Sequence, residues 1–442
     1  MSDILGIGAS GLRAYSRALA TIGDNIANAQ TPGYARRTLA LQEVAGAGDT
    51  MLTRTHVRPG GVEVVGVVRA TDEWLAEEAR LATSDGERSR LVFDAMQGIE
   101  TALADSGNGI GTALTALLGT ADALTLDPAS PALRSQFLDN VDAVAVGFRT
   151  AGEQLDRLGN AAVNAASNDV TQFNTDLQSL EKVNAGLRRA RPGSTNEAAL
   201  LDERDRLLEQ LASRLDISAS FGNRGTVTLR AASSGDLLVG GGTFQTVSVT
   251  ADANGRIAYS VAGLPLVAGS GALAGRADAA DRIASERATV DAAAMTIAES
   301  INAAHQAGFD ANGAAGGPLF SGTARAATLT AVPLTASDVA AADATSTNGN
   351  MVRFGQLRGN NGPEAVWADL QARQGQATAS ARAQNAAGAS RRENALAARD
   401  AVGEVDLDRE AADLLRFQQA YTAAAQTIQV ARETMQALFN AI

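Results

Sequence analysis

Cysteine is absent from the 442 residues, which removes a disulfide framework, a thiolate metal site and a cysteine nucleophile in one step. Histidine is nearly absent: His56 and His305 stand far apart in sequence, so histidine-based metal or triad chemistry is poorly supplied. Lysine occurs once, at Lys182, among 37 basic residues, and 49 acidic residues leave a net charge of −12. That balance works against extended contact with nucleic acid. No stretch reaches the roughly 18 consecutive apolar residues of a spanning helix, so no membrane insertion is expected. The first twenty residues lack a basic start followed by an unbroken apolar run, because Arg13 and Arg17 interrupt them, and a cleaved secretory signal is not expected. The length is enough for roughly three domains, each with its own core.

The clearest order lies at the two ends. Leu5, Leu12, Leu19 and Ile26 recur every seventh position, with Gly8, Tyr15 and Ile22 three further on, as the a and d positions of one helix do. Ser2 and Asp3 are cap candidates, and Thr31-Pro32-Gly33 marks its end. At the other end Leu407, Leu414, Tyr421, Ile428, Met435 and Ile442 keep the same interval, accompanied by Phe417, Ala424, Ala431 and Leu438. Asp406 is placed to cap that helix, with Asp408 and Glu410 suiting the positive end of its dipole.

Between the ends the period changes. Residues from about 86 to 215 read as long helices, with Val92, Met96, Ile99 and Leu103 on one stripe and Phe173, Leu177, Leu180 and Leu187 on another. Ser194 and Glu197 have capping-box spacing. From about 217 to 266 the period becomes two, and Val247 and Val249 are expected to face Ile257, Tyr259 and Val261 across a turn at Asn254-Gly255. Helical spacing returns at Ile283, Val290, Ile297 and Ile301. Residues 308–364 then read as short strands and loops, and 365–400 as a helix rich in Ala, Arg and Gln.

Candidate chemical motifs are weak. Gly6-Ile7-Gly8-Ala9-Ser10-Gly11 matches the spacing of a dinucleotide-binding turn, but that turn needs a preceding strand, and only five residues precede these glycines. Close helix packing is the better reading. Asp252-Ala253-Asn254-Gly255 and Asp310-Ala311-Asn312-Gly313 begin like calcium loops but lack the glutamate a calcium loop requires at its twelfth position; they read as turns. His305 is expected to be a surface or capping residue, and His56 to lie in a polar, strand-like stretch. Asp202-Glu203-Arg204-Asp205-Arg206 reads as a solvated helix face, with Asp202 and Arg206 as an i,i+4 pair. No catalytic residue, cofactor or metal is expected.

The decapeptide Asn25-Ile26-Ala27-Asn28-Ala29-Gln30-Thr31-Pro32-Gly33-Tyr34 closely resembles the N-terminal signature of flagellar rod, hook and hook-associated proteins. The continuation Ala35-Arg36-Arg37, the stretch Val405–Leu415 with Phe417-Gln418-Gln419-Ala420-Tyr421, the run Leu201–Leu207, and Gly316–Phe320 after Gly308-Phe309-Asp310 are similar to the hook-associated branch. The likeness covers both ends and the middle, in the family's order. The shortness of this chain implies that the outermost domain of larger members is missing or reduced.

The resemblance implies a structural subunit of the bacterial flagellum at the hook–filament junction, self-assembling through its terminal helices, extracellular, exported without a cleaved signal peptide, and not an enzyme. Its implied partners are copies of itself, the hook protein, a second hook–filament junction protein, and an export chaperone on the C-terminal helix. The expected interface is Leu5, Leu12, Tyr15, Leu19, Ile22 and Ile26 against Leu407, Leu414, Phe417, Tyr421, Ile428, Met435 and Leu438. The rival readings are a hook or rod subunit and, from another class, a nucleotide-dependent enzyme. The expected fold is mainly α with a β-containing centre (α+β). Residues 1–45 and 403–442 would form a coiled-coil assembly domain, and 46–216, 272–306 and 365–402 an inner helical domain. An outermost, β-rich domain would take 217–271 and 307–364.

Overall fold

A computed structural model describes residues 2–31, 33–44, 60–105, 107, 109–322 and 324–440; His56 and Pro32 fall outside the described residues. The chain forms two compact units. The first takes residues 1–84, 173–246 and 390–442, the second 85–172 and 247–389.

The elements run α1 (Ser2–Ala27), β1 (Arg37–Val44), β2 (Gly61–Arg69), α2 (Glu73–Ala102), α3 (Ile110–Leu126), α4 (Pro131–Arg189) and α5 (Thr195–Arg214). Strands β3 (Ile217–Phe221), β4 (Val227–Ala231), β5 (Leu237–Gly240), β6 (Thr243–Phe244), β7 (Val247–Ala251), β8 (Ile257–Val261) and β9 (Leu264–Leu266) follow. The chain continues through α6 (Gly271–Gln306), β10 (Phe320–Ser321), β11 (Thr330–Ala331), α7 (Gly349–Gly355), α8 (Pro363–Gly403) and α9 (Leu407–Asn440). The architecture is mainly helical with small antiparallel sheets, as the two periods in the sequence predict.

In the second unit the apolar stripes of the helices close on one core, in which Leu114, Leu117, Phe137, Phe148, Ile297, Ile301 and Trp367 are buried. Strands β7 and β8 pair Val247 with Val261 and Val249 with Tyr259, and Gly255 takes φ +82° in the connecting turn. The Asp252 and Asp310 carboxylates accept backbone N–H bonds inside their own turns, at 2.8 to 2.9 Å, as Asx turns do. His305 corrects its reading as a surface residue. It is fully buried, with Nδ1 2.7 Å from the Gly317 carbonyl and Nε2 accepting from the Ala340 N–H at 2.9 Å. One turn earlier on α6, Asn302 accepts from the Leu319 and Phe320 N–H groups and donates to the Phe320 carbonyl. The two side chains give the following loops the backbone partners that no sheet supplies.

In the first unit Phe173, Leu177, Leu180 and Leu187 are fully buried along α4, as are Leu207, Leu208 and Leu211 of α5. Ser194 caps α5 by accepting from the Glu197 N–H, while the Glu197 carboxylate reaches the Gly193 N–H, one residue further back than the usual capping box. The segment from 217 to 266 forms two sheets, β3-β4-β5-β6 in this unit and β7-β8-β9 in the second, with the break after Phe244. Alternation reveals strands but not which strands share a sheet. Alternation does not reveal the β1–β2 hairpin, because a bulge at Ala40/Leu41 breaks it and a long connection separates the strands.

Candidate functional site: the terminal helix hairpin

Helices α1 and α9 pack antiparallel. Gly8 lies against Ile428, Gly11 against Ala424, Tyr15 against Phe417 with ring centroids 6.2 Å apart, and Asn25 against Glu410. α1 runs without interruption through the glycines of the dinucleotide-like run, so they line a helix seam and form no phosphate-binding turn. A Cβ on Gly8 would stand 2.7 Å from Ile428 Cγ1, so the glycine sets how closely the helices approach.

The predicted seam residues divide. Ile22 is buried, while Leu5, Leu12, Tyr15 and Leu19 on α1 and Leu414, Phe417, Ile428 and Met435 on α9 are half-buried. Ile26 (39% exposed), Leu407 (53%) and Tyr421 (40%) are open to solvent in the single chain. The Leu438 side chain lies outside the described residues. The most enclosed line of α1 is Gly8, Gly11, Ala14, Ala18, Ile22 and Asn25, one step round the helix from the large leucines. Small residues let the backbones close, and the bulky ones are left to flank them.

At the base of the hairpin the sequence signature acquires a mechanism. Asn25, with no exposed surface, uses its whole amide: Nδ2 donates to the Arg37 carbonyl (2.8 Å) and Glu410 Oε2 (3.0 Å), and Oδ1 accepts from Tyr34 Oη (2.8 Å) and the Arg37 N–H (3.0 Å). Asn28 donates to the Asp24 carbonyl and accepts from the Thr31 hydroxyl. The Thr31 carbonyl accepts from the Tyr34 N–H. Gly33 takes φ +79°, a left-handed conformation open to glycine, and this turns the chain so that Tyr34 folds back onto Asn25. Burial pushes the Tyr34 hydroxyl up to about 12, which keeps it a proton donor.

A charge network then ties the two terminal helices to β1, β2 and α5 within the first unit. Glu410, 1% exposed, accepts from Arg36 Nε at 2.6 Å, and Arg36 also reaches Asp413 at 3.5 Å. Arg37 and Arg69 are paired directly across β1 and β2, where like charges repel. Asp202 resolves this by accepting from Arg37 Nη2 at 2.6 Å and Arg69 Nε at 2.7 Å, and Arg69 continues to Asp205 at 2.8 Å. The Arg37 guanidinium lies 4.7 Å from the Tyr34 ring centroid. Asp202 is therefore not the partner of Arg206 that helical spacing predicts; Arg206 bonds Glu203 instead, because two arginines from the hairpin have claimed the aspartate. Sequence reasoning missed these partners: the signal present was the Arg36-Arg37 pair, and nothing local indicates which acids meet it.

Residues 96–320 match the model of the flagellar hook-associated protein FlgK helical domain, and residues 5–34 match that of the flagella basal body rod protein. Flagellar hook-associated protein 1 of Escherichia coli K12 is 27% identical over 337 residues, covering 73% of this chain and 60% of that protein. The protein of the same name from Bacillus subtilis is 26% identical over 227 residues, covering 50% and 44%. The solved structure of the flagellar hook junction protein FlgK from Burkholderia pseudomallei is similar with a TM-score of 0.50 at 21% identity, over 55% of this chain and 46% of that one, a likeness of fold. The matched part spans 60% of the length of the enterobacterial relatives.

Proposed function

Because the chain belongs to the family of flagellar hook-associated proteins that carry the FlgK helical domain, we propose that it is a structural subunit of the bacterial flagellum, forming the hook–filament junction by self-assembly through its terminal hairpin. The observation that carries this reading is the apolar surface left on a hairpin whose seam is already filled. Ile4, Ile7 and Ile26 on α1 and Leu407, Leu415, Tyr421 and Val430 on α9 are all exposed in the single chain. Exposed apolar surface of this extent favours contact with a partner. A heterologous contact that does not close on itself propagates as a helix, so copies joined in this way form a tubular layer.

In this reading the neighbours are copies of the chain, the hook protein and a second hook–filament junction protein, with an export chaperone on α9 before assembly. The subunit leaves the cell without losing a signal peptide and works outside it, with no catalytic step, cofactor or metal. Residues 1–45 and 403–442 are the assembly domain. A hook or rod subunit would share the signature of α1, and the match over residues 96–320 favours the junction.

The test is deletion of residues 405–442. The shortened chain is expected to retain a cooperative melt of the remaining helices and to fail to restore filament growth in a strain lacking its own junction protein. Restored growth with the shortened chain would refute the proposal.

A further inference from the structure

A cleft of about 900 Å³ opens beside the base of the hairpin, between the turn that follows α1, the start of α2, α5 and the end of α8. Four arginines line it. Arg69 is held by Asp202 and Asp205, Arg204 by Asp205 and the Gly225 carbonyl, and Arg399 by Glu209 and Asp400. Arg80 is the exception. It is 8% exposed, yet among the described residues no carboxylate lies within 4.0 Å of its guanidinium and no side-chain hydrogen bond engages it.

A guanidinium stays charged at any physiological pH and can only donate, and Arg80, whose stem is buried, meets no acceptor among the described residues and turns its nitrogens to the solvent of the cleft. The carboxylates whose charge acts on Arg80 form no ion pair with it: Asp205 is shared by Arg69 and Arg204, Glu209 is turned to Arg399, and Glu77, three residues back on α2, is exposed to solvent. Val67, Ala76, Leu201 and Phe221 add apolar wall for the methylenes of an entering side chain. Seven carboxylates line the cleft against its four arginines, so a free polyanion such as phosphate is disfavoured, and a carboxylate finds a place only when it is delivered on a polypeptide and aimed at Arg80.

We propose that this cleft is a socket for an acidic side chain of a second copy of the chain, with Arg80 as the residue that receives it. The inference rests on the self-assembly reading. The cleft is continuous with the assembly region, because Gln30, Gly33 and Tyr34 after α1 and Glu404 and Val405 before α9 are part of its wall. Each copy carries 49 acids against 37 bases and so has carboxylates to spare. A neighbour held by its hairpin presents them at an effective concentration far above that of a free ligand.

The experiment compares the full-length chain with Arg80→Gln and Arg80→Lys, measuring Tm with and without glutarate (sodium chloride at equal ionic strength as control) and association by sedimentation. Arg80→Gln is expected to keep or raise Tm, to lose the stabilisation by glutarate shown by the natural chain, and to weaken association about tenfold. Arg80→Lys, which keeps the charge but loses the fork, is expected to fall between. A lowered Tm in both variants with unchanged association would make Arg80 a structural residue and overturn the proposal. Glutarate stabilisation lost in Arg80→Gln with association unchanged would overturn the second copy as the source of the carboxylate. A natural chain that stays monomeric at every concentration while still responding to glutarate through Arg80 would refute the self-assembly reading and leave only the anion site.

Discussion

Asn25 and Glu410, 385 positions apart, meet at 3.0 Å in a place closed to water, and the same asparagine holds Tyr34 and both backbone polar groups of Arg37. One amide thus registers the end of α1 against the start of α9 and against β1. Replacing Asn25 with Ala leaves these groups without partners, each orphan costing about 1–3 kcal/mol. The expected outcome is a loss of about 2–4 kcal/mol in the stability of the hairpin, read by amide exchange along α1 and α9. Exchange rates unchanged from the natural chain would show that the network does not set the register.

Gly8 sits where a Cβ would press on Ile428 Cγ1. In Gly8→Val overpacking costs about 1–3 kcal/mol, more than the few tenths of a kcal/mol gained in helix propensity over glycine. Combining it with Ile428→Ala is expected to recover most of the loss, because the second change opens the space that the first fills. Thermal melts of the two single variants and the pair form the cycle, and strict additivity would argue against direct contact between these positions.

The position of His305 predicts a pH dependence. Burial holds its imidazole below the usual histidine range, and the Ala340 N–H needs Nε2 as an acceptor, so the folded protein keeps the neutral form. The unfolded chain takes up a proton near its ordinary value of about 6.5, so the stability associated with the neutral ring is intact above that pH and is lost as pH falls toward the folded value. Denaturant midpoints measured from pH 7.5 to 5 are expected to fall less steeply in His305→Gln than in the natural chain. Equal slopes would mean that this histidine does not contribute.

The sequence makes some of this legible and conceals the rest for definite reasons. Helical and strand periods are local, so α4, α5, the β7–β8 register and the capping of α9 by Asp406 follow from spacing alone. The heptads at the ends are also local, but they locate an apolar face without separating the seam from the side a neighbour would cover. This is why Ile26, Leu407 and Tyr421 read as seam residues and stand exposed. The charged cluster at 202–206 was invisible as a network because its partners, Arg37 and Arg69, come from a hairpin more than a hundred residues away. The burial of His305 is likewise set by loops that follow it in the chain, not by its own helix.

Asp202 carries the last prediction. Arg37 and Arg69 oppose each other across two strands and share this one carboxylate, with the three side chains mostly buried. In Asp202→Asn two guanidiniums are left facing each other with a neutral amide between them, and breaking a buried charge pair on one side costs about 3–5 kcal/mol. Arg69 keeps Asp205, so the larger share of the loss falls on Arg37, whose Nε already lacks a partner. The expected result is loosening of the β1–β2 hairpin and of the base of α1, seen as faster amide exchange over residues 25–44 and 61–69. Because these groups are shielded from solvent, added salt should restore little, since screening acts mainly on exposed charges. Full rescue of Asp202→Asn by 1 M sodium chloride would show that the network behaves as a surface ion pair and carries no structural weight.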